Sequence, residues 1–435
     1  MTIRFRLLPL ALATLAVPAF AQQTTALTSY IALGDSMTMA VVNGSIVQTH
    51  QANSYPALVA RQAGIGFFQQ PTVAEPGAPP ELQLVSLLPS TVIVPKASTA
   101  GAPNNVAVPR PYNNLAIAGA TTPDYLTKVT DGGGPYDLVL RGLGTAVAQA
   151  VVSRPLLYTL WIGNNDVLGA VIRGTAIDGV TLTPPATFRS AYGQIVAALR
   201  STGGKLIVAT IPDVTQIPYA TTIPPYVVNP STRQPVLVGG NPVALLGLAG
   251  PLPPGTYVTL AASSLLAKGV GIPTSLGGTG LPLPGEVILD QGEVATIQNR
   301  VNVNNQAIRD IAQANGATIL DLHAIFADFE ANGRNVGGVA ITGEFLTGGF
   351  FGYDGLHTTD LGQALLANEW ITAIAASSIV NLPPVNLAPF LGITSASAAG
   401  GSSVSAHSVR RPPPFEFTAE AQERLLTLFP TLDGR

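Results

Sequence analysis

The chain has 435 residues, of which 47% are hydrophobic and 10% charged, and its formal net charge is -3. That balance leaves no basic footprint for nucleic acid and excludes a polyanion partner. With no cysteine there are no disulfides, thiolate metal sites or N-terminal lipid attachment, and 37 prolines and 45 glycines break the apolar stretches before any reaches bilayer-spanning length.

At the N-terminus, Arg4 and Arg6 precede an apolar run from Leu7 to Val17, and Ala19-Phe20-Ala21 offers small residues two apart. Residues 1–21 therefore read as a signal peptide cleaved after Ala21, which implies a secreted or periplasmic protein. A membrane anchor fits less well, because the run is short and Pro18 ends it. The apolar segment from Leu27 to Leu33 reads as a buried strand ending in a sharp turn at Gly34-Asp35-Ser36, which places Ser36 at the strand's C-terminal edge. Residues 71–111 are crowded with Pro and Gly and predict a loop-rich insertion that could wall a site.

Asn114–Thr122 predicts a second strand and turn, and Leu138–Val152 a helix. Pro155–Ile162 predicts a strand that runs into Gly163-Asn164-Asn165-Asp166, followed by a helix over Ala186–Leu199 and a strand over Lys205–Ile211. Residues 212–286 are again Pro/Gly-rich and are compatible with a cap, hairpins or a surface loop. Order returns with a helix over Gln291–Asn315, a strand over Thr318–Leu322, a loop carrying Asp354 to His357 and a closing helix over Asp360–Val380. Strands alternating with helices mean a mostly parallel sheet, so the fold class is α/β.

Residues 22–397 form the expected domain, with the two insertions inside it. Residues 398–435 read as a Ser/Gly/Ala- and Pro-rich linker and a short C-terminal helix over Thr418–Phe429. The Leu425, Leu428 and Phe429 cluster on that helix suits peripheral lipid or partner contact, or packing back onto the chain.

A serine hydroxyl becomes a competent nucleophile when an imidazole takes its proton and a carboxylate orients that imidazole. Of the four histidines, His50 falls in a polar loop, His323 just after a predicted strand and His407 in the tail, which leaves His357 in Asp-Gly-Leu-His as the best-placed base. Asp354, three residues earlier, can reach one ring nitrogen while the other faces a hydroxyl. Alone, this stretch is equally an ordinary helix start capped by Thr358 or Thr359, and Gly34-Asp35-Ser36 is equally an ordinary turn. Asp35, Asp166 and Asp321 read as structural, holding turns or capping helices. A Gly-x-Ser-x-Gly elbow, a phosphate-binding loop, a dinucleotide fingerprint and a His-Glu-x-x-His zinc helix are all missing, so the chemistry is read as cofactor-free, with no metal.

The order of Gly-Asp-Ser, Asn-Leu-Ala-Ile-Ala-Gly-Ala, Gly-Asn-Asn-Asp and Asp-Gly-Leu-His along the chain resembles the motif blocks of the SGNH/GDSL hydrolase family of esterases and lipases, over roughly Ser29 to Val380. Met37 stands where the family name has Leu. The resemblance implies a three-layer α/β/α sandwich of the flavodoxin-like SGNH type, with Ser36 as nucleophile and Asp354 and His357 completing the catalytic residues. It also implies an oxyanion hole made by Ser36, Gly119 and Asn165. The implied function is a secreted serine ester hydrolase, a carboxylesterase or lipase acting on a small-molecule or lipid ester. The alternatives are a carbohydrate O-acetylesterase of the same family, or a non-catalytic secreted binding protein on the same scaffold.

Overall fold

Tyr30–Gly34 (β1) is buried at every residue, as a strand covered on both faces of a parallel sheet requires. In the computed structural model, which describes residues 27–86, 91–391 and 415–429, it runs on into α1 (Ser36–Met39), α2 (Gln48–Gln51) and α3 (Tyr55–Gln62). The hairpin of β2 (Leu82–Ser86) and β3 (Thr91–Pro95) follows, then α4 (Asp124–Thr127), α5 (Pro135–Leu140), α6 (Ala146–Ser153), β4 (Leu157–Trp161), α7 (Asn165–Arg173), α8 (Pro185–Arg200) and β5 (Lys205–Ala209). After α9 (Pro218–Thr221) come three ladders of two-residue strands: β6 (Leu237–Val238) with β7 (Asn241–Pro242), β8 (Leu246–Gly247) with β9 (Gly250–Pro251), and β10 (Tyr257–Val258) with β11 (Ile288–Leu289). Helix α10 (Ser263–Ala267) lies within the last of these ladders. The chain continues through α11 (Gln291–Ala314), β12 (Thr318–Leu320), α12 (Leu322–Asn332), the hairpin of β13 (Arg334–Val336) and β14 (Val339–Ile341), and α13 (Asp360–Ala376). The last described piece is β15 (Phe415–Phe417) leading into α14 (Ala419–Leu426). The expected signal peptide and most of the expected linker lie outside the described residues.

Strands β1, β4, β5 and β12 form one sheet in that order, all parallel. Because side chains alternate across a strand, each face gathers its own core. Ile31, Leu33, Tyr158, Leu160 and Val208 pack with Leu199 of α8 and Ile308 of α11. Tyr30, Ala32, Trp161, Ile207 and Ala209 pack on the opposite side with Leu58 of α3 and Trp370 of α13. Helices thus cover both sides of a parallel sheet, the α/β architecture the strand and helix alternation implied. Every loop that leaves a strand's C-terminal end opens at the same sheet edge, where ligands of such folds bind.

Three elements of the fold depart from the sequence reading, apart from the His50 segment. Residues 114–122 form no regular strand; instead Ala32 N–H donates to the Asn113 carbonyl (2.8 Å), and Leu115 and Ile117 N–H donate to the Ala32 and Gly34 carbonyls (2.9 and 3.0 Å). The segment follows the free edge of β1 with a single parallel bridge, Ala32 to Asn114, because the Tyr125 hydroxyl stands between Gly34 N–H (2.7 Å) and the Leu115 carbonyl (3.0 Å), where the next bond would fall. The helix expected over 138–152 is two helices, because Arg141, Gly142 and Gly144 take left-handed φ values of 52°, 71° and 98° and Thr145 starts a new cap. The C-terminal helix is preceded by a strand: β15 pairs in parallel with β3, making a sheet of order β15-β3-β2.

Gly34 is where β1 must pass closest to its neighbours. A Cβ there would stand 2.1 Å from Thr38 Oγ1 and 2.6 Å from the Trp161 carbonyl oxygen, and the second of these is backbone held in the sheet. Gly34→Ala is expected to destabilise the fold by about 3 kcal/mol, the upper end of ordinary overpacking, read as a lowered midpoint in urea unfolding.

Candidate active site

Ser36 opens α1 directly after β1, with only Asp35 between strand and helix. Asp35 caps the helix, its Oδ1 accepting from Met37 N–H at 3.0 Å, and the helix ends after one turn at Ala40, whose φ of 60° is left-handed. The turn is braced on both sides. Gly34 N–H donates to the Tyr125 hydroxyl at 2.7 Å, and the Thr38 and Tyr55 hydroxyls lie 3.0 Å apart, with the Tyr55 ring stacked on Trp370.

Asp354 and His357 occupy the loop before α13. Imidazole Nδ1 lies 2.7 Å from Asp354 Oδ2, and the same oxygen accepts from Gly44 N–H at 2.6 Å. Oδ1 accepts from the backbone N–H of Leu356 and His357, both at 2.9 Å. Burial alone raises a carboxyl's pKa, but the His357 charge and these donors outweigh it and hold Asp354 below the usual carboxylate range. Nδ1 is committed to the carboxylate, so Nε2 is the nitrogen left to face a hydroxyl.

The loops carrying Ser36 and His357 are stitched together. Gln363 of α13 donates to the Met37 carbonyl (3.0 Å), and Tyr353 N–H donates to Asn43 Oδ1 (2.8 Å). Burial pushes Asp35 up to about 6, against the hydrogen bonds it accepts from Met37 and Asn164 and, to a smaller extent, the charge of His357.

Gly119 sits in the next turn with a left-handed φ of 75°, which favours a residue without Cβ. Asn165, the first residue of α7, donates from Nδ2 to the Ala120 carbonyl at 3.0 Å. One amide hydrogen is thereby used to hold Asn165 against the Gly119 turn, and Nδ2 carries a second. Asp166 Oδ2 accepts from both the N–H (2.9 Å) and the hydroxyl (2.8 Å) of Thr122, a clamp between turns 44 residues apart rather than a local one. Burial raises Asp166 to about 7 against those hydrogen bonds. Asn164, which the sequence reading passed over, donates to Asp35 Oδ2 at 2.8 Å and joins this loop to the Ser36 turn. Asp321 caps α12, as read from the sequence.

Ser36 is only 3% exposed and His357 1%. The ring of Phe429, just beyond α14, lies parallel to the imidazole within 9°, with ring centroids 6.2 Å apart. The apolar cluster of the C-terminal helix is therefore turned inward: Leu425, Leu428 and Phe429 are each 1% exposed.

A family model for GDSL-like lipases and acylhydrolases matches residues 30–370. The chain belongs to that family. Membership makes it an ester hydrolase at the level of class. No curated protein matches the chain. Among solved structures, the lipase/acylhydrolase of Enterococcus faecalis is 14% identical with a TM-score of 0.34, over 82% of this chain and 98% of its own. Phospholipase A1 of Streptomyces albidoflavus is 15% identical with a TM-score of 0.34, over 81% and 100%. A variant of an acetyl-xylooligosaccharide esterase from Geobacillus Stearmophilus is 12% identical with a TM-score of 0.35, over 80% and 96%. No helix among the described residues is long and apolar enough to cross a membrane.

His50 is not in a polar loop but on α2, between two carboxylates: Nδ1 lies 2.8 Å from Asp360 Oδ1 and Nε2 3.0 Å from Glu81 Oε1. Glu81 also accepts from Asn43 Nδ2 (2.7 Å) and pairs with Lys96, so the cluster bridges the β2 hairpin, the Asn43-Gly44 turn that touches Asp354, and the start of α13. Burial disfavours the charged imidazole, yet the hydrogen bonds and charges of Asp360 and Glu81 prevail and raise His50 from 6.5 to about 9. Burial likewise opposes ionisation of Glu81, but His50, Asn43 and Lys96 lower it from 4.5 to about 2. Stabilisation from the raised His50 is complete below its ordinary pKa and is lost as pH climbs through about 9. Thermal unfolding at about pH 6 and about pH 10 is expected to show a fall in Tm for the wild type that His50→Gln largely abolishes, its own Tm being already lowered at the acid end.

Proposed function

We propose that the chain is an exported serine ester hydrolase working through an acyl-enzyme on Ser36, with His357 as general base and acid and Asp354 as its orienting carboxylate. The observation that carries this is the buried Asp354–His357 pair at 2.7 Å, its carboxylate held by Leu356 and His357 N–H within the loop and by Gly44 N–H from the turn that follows the Ser36 helix. In the reaction, Ser36 Oγ attacks the ester carbonyl while His357 Nε2 takes the hydroxyl proton. The imidazolium formed is stabilised by Asp354. Charge on the carbonyl oxygen meets the Ser36 and Gly119 backbone N–H groups and the second Nδ2 hydrogen of Asn165. Collapse of the tetrahedral intermediate expels the alcohol, which receives the proton from His357. A water deprotonated by His357 then attacks the acyl carbonyl and releases the acid and free Ser36.

Residues 22–397 are taken as the hydrolase domain, and the leader ending at Ala21 as the export signal that places it outside the cytoplasm. An ester with a hydrocarbon acyl part is favoured over an acetylated sugar by the apolar composition of the chain, 47% hydrophobic with only 6% aromatic, since sugar sites gather aromatic and polar side chains. Turnover of p-nitrophenyl esters of increasing acyl length, compared with release of acetate from acetylated xylooligosaccharides, is expected to favour the former, and preference for the sugar would reverse the assignment. Ser36→Ala is expected to abolish turnover, whereas hydrolysis at the wild-type rate would refute the reading. Asn165→Ala is expected to lower kcat by about 100-fold or more with a small change in KM, the signature of a donor used in the transition state.

A further inference from the structure

Resting on the reading of Ser36 as nucleophile, we propose that residues 415–429 are a displaceable cover on the active site, with Phe429 occupying space that the ester needs. An ester carbonyl has to touch Ser36 and come within reach of His357, yet the two residues are 3% and 1% exposed. The ring parallel to the imidazole is Phe429, which belongs to none of the strand-end loops that build the site. It comes from the far end of the chain, as do the strand and helix that carry it.

The cover packs its apolar side chains, Phe417, Ala421, Leu425, Leu428 and Phe429, into the larger buried cluster, but its hydrogen-bonded attachments are few. Strand β15 adds to the edge of the β2–β3 hairpin, which is outside the central sheet, over only three register pairs. Phe417 exchanges two hydrogen bonds with the Ser263 hydroxyl of α10, which accepts from Phe417 N–H (2.8 Å) and donates to its carbonyl (3.0 Å). Gln422 meets the Tyr219 hydroxyl at 3.2 Å, and Arg424 reaches the Ser98 carbonyl at 3.4 Å. Thr418 N–H donates to the Ile93 carbonyl at 3.4 Å, and Leu425 packs towards Leu82 and Gly44. All of these partners lie on inserted hairpins, short helices and the turn after α1. None of these partners lies on the four-stranded sheet, so the cover can leave while that sheet stays paired. Thr418 caps α14 immediately after β15, with no loop between, so strand and helix leave together.

In this arrangement the resting enzyme is occluded, and turnover is scaled by the fraction of molecules whose cover has moved. Weakening the cover then raises activity, and locking it lowers activity. Both are testable in the full-length protein, because the chain has no cysteine of its own. Val92 and Glu416 are register partners across the β3–β15 pairing, so Val92→Cys/Glu416→Cys places a single reversible crosslink there. With a soluble short-chain p-nitrophenyl ester, Phe429→Ala is expected to raise kcat/KM by roughly tenfold or more, and the oxidised crosslink to lower it by at least about tenfold, with reductant restoring it. Equal rates for wild type and Phe429→Ala together with equal rates for oxidised and reduced crosslink would overturn the cover. A loss of activity in Phe429→Ala with an oxidised crosslink that stays fully active would overturn it too, making the segment a fixed wall. Adding Ser36→Ala to Phe429→Ala separates the two claims. If the added substitution removes activity, the nucleophile stands whatever the cover does; if the activity persists, the reading of Ser36 fails.

Discussion

One buried carboxylate joins the two ends of the α/β core. Asp354 gathers four hydrogen-bond donors: His357 Nδ1 and Gly44 N–H on one oxygen, Leu356 and His357 N–H on the other. A carboxylate withdrawn from water is costly unless its lone pairs are met, so this arrangement is all-or-nothing. Meeting them requires the turn after the first strand and the loop before the last long helix to arrive at one place. Gly44 and Asp354 are 310 residues apart in sequence, and the parallel sheet brings them together by presenting its C-terminal strand ends along one edge. The orientation of His357, the position of the Ser36 turn and the seating of α13 follow from this junction.

The other turns are joined on the same plan, a side chain from one loop satisfying the backbone or carboxylate of another. Asn164 reaches Asp35, Asn165 reaches the Ala120 carbonyl, and Asp166 takes both donors of Thr122. Three consecutive residues at the end of β4 therefore fix the Ser36 turn on one side and the Gly119 turn on the other. Positioning donors through rigid backbone is what stabilisation of a developing oxyanion requires, since donors already in place need no reorganisation when charge appears. Beyond this inner set, His50, Glu81 and Asp360 form a charged brace that holds the β2 hairpin to α13 and, through Asn43, supports the turn bearing Gly44.

Much of this could be read from the sequence, for a physical reason. The alternation of apolar strands with helices determines a parallel sheet: β1, β4, β5 and β12 are mostly apolar, and β1 and β12 run directly into Gly34-Asp35 and Asp321. The Asp354–His357 contact spans three residues, so local geometry alone makes it visible. What could not be read depends on distant pairings: no spacing rule links His50 to Asp360, Asn164 to Asp35 or Gly44 to Asp354. Residues 113–117 look like a strand and hydrogen-bond to β1, yet the pairing stops at one bridge because the Tyr125 hydroxyl takes the Gly34 N–H that would continue it. The helix expected over 138–152 failed at Arg141-Gly142-Leu143-Gly144, where glycines favour left-handed backbone over continuation. The apolar cluster of the C-terminal helix was legible as a surface in search of a partner, whereas its destination, beside His357, depends on tertiary structure alone.

The account stands on Ser36 being the group that attacks the ester, activated by the imidazole that Asp354 holds. The most direct measurement is prolonged reaction of the full-length protein with a small serine-directed organophosphonate, with the adduct located by peptide mass mapping. A single adduct on Ser36 is predicted, forming at a rate that His357→Ala lowers by about a hundredfold or more. An adduct on another residue, or labelling of Ser36 that proceeds as fast without His357, would contradict the account.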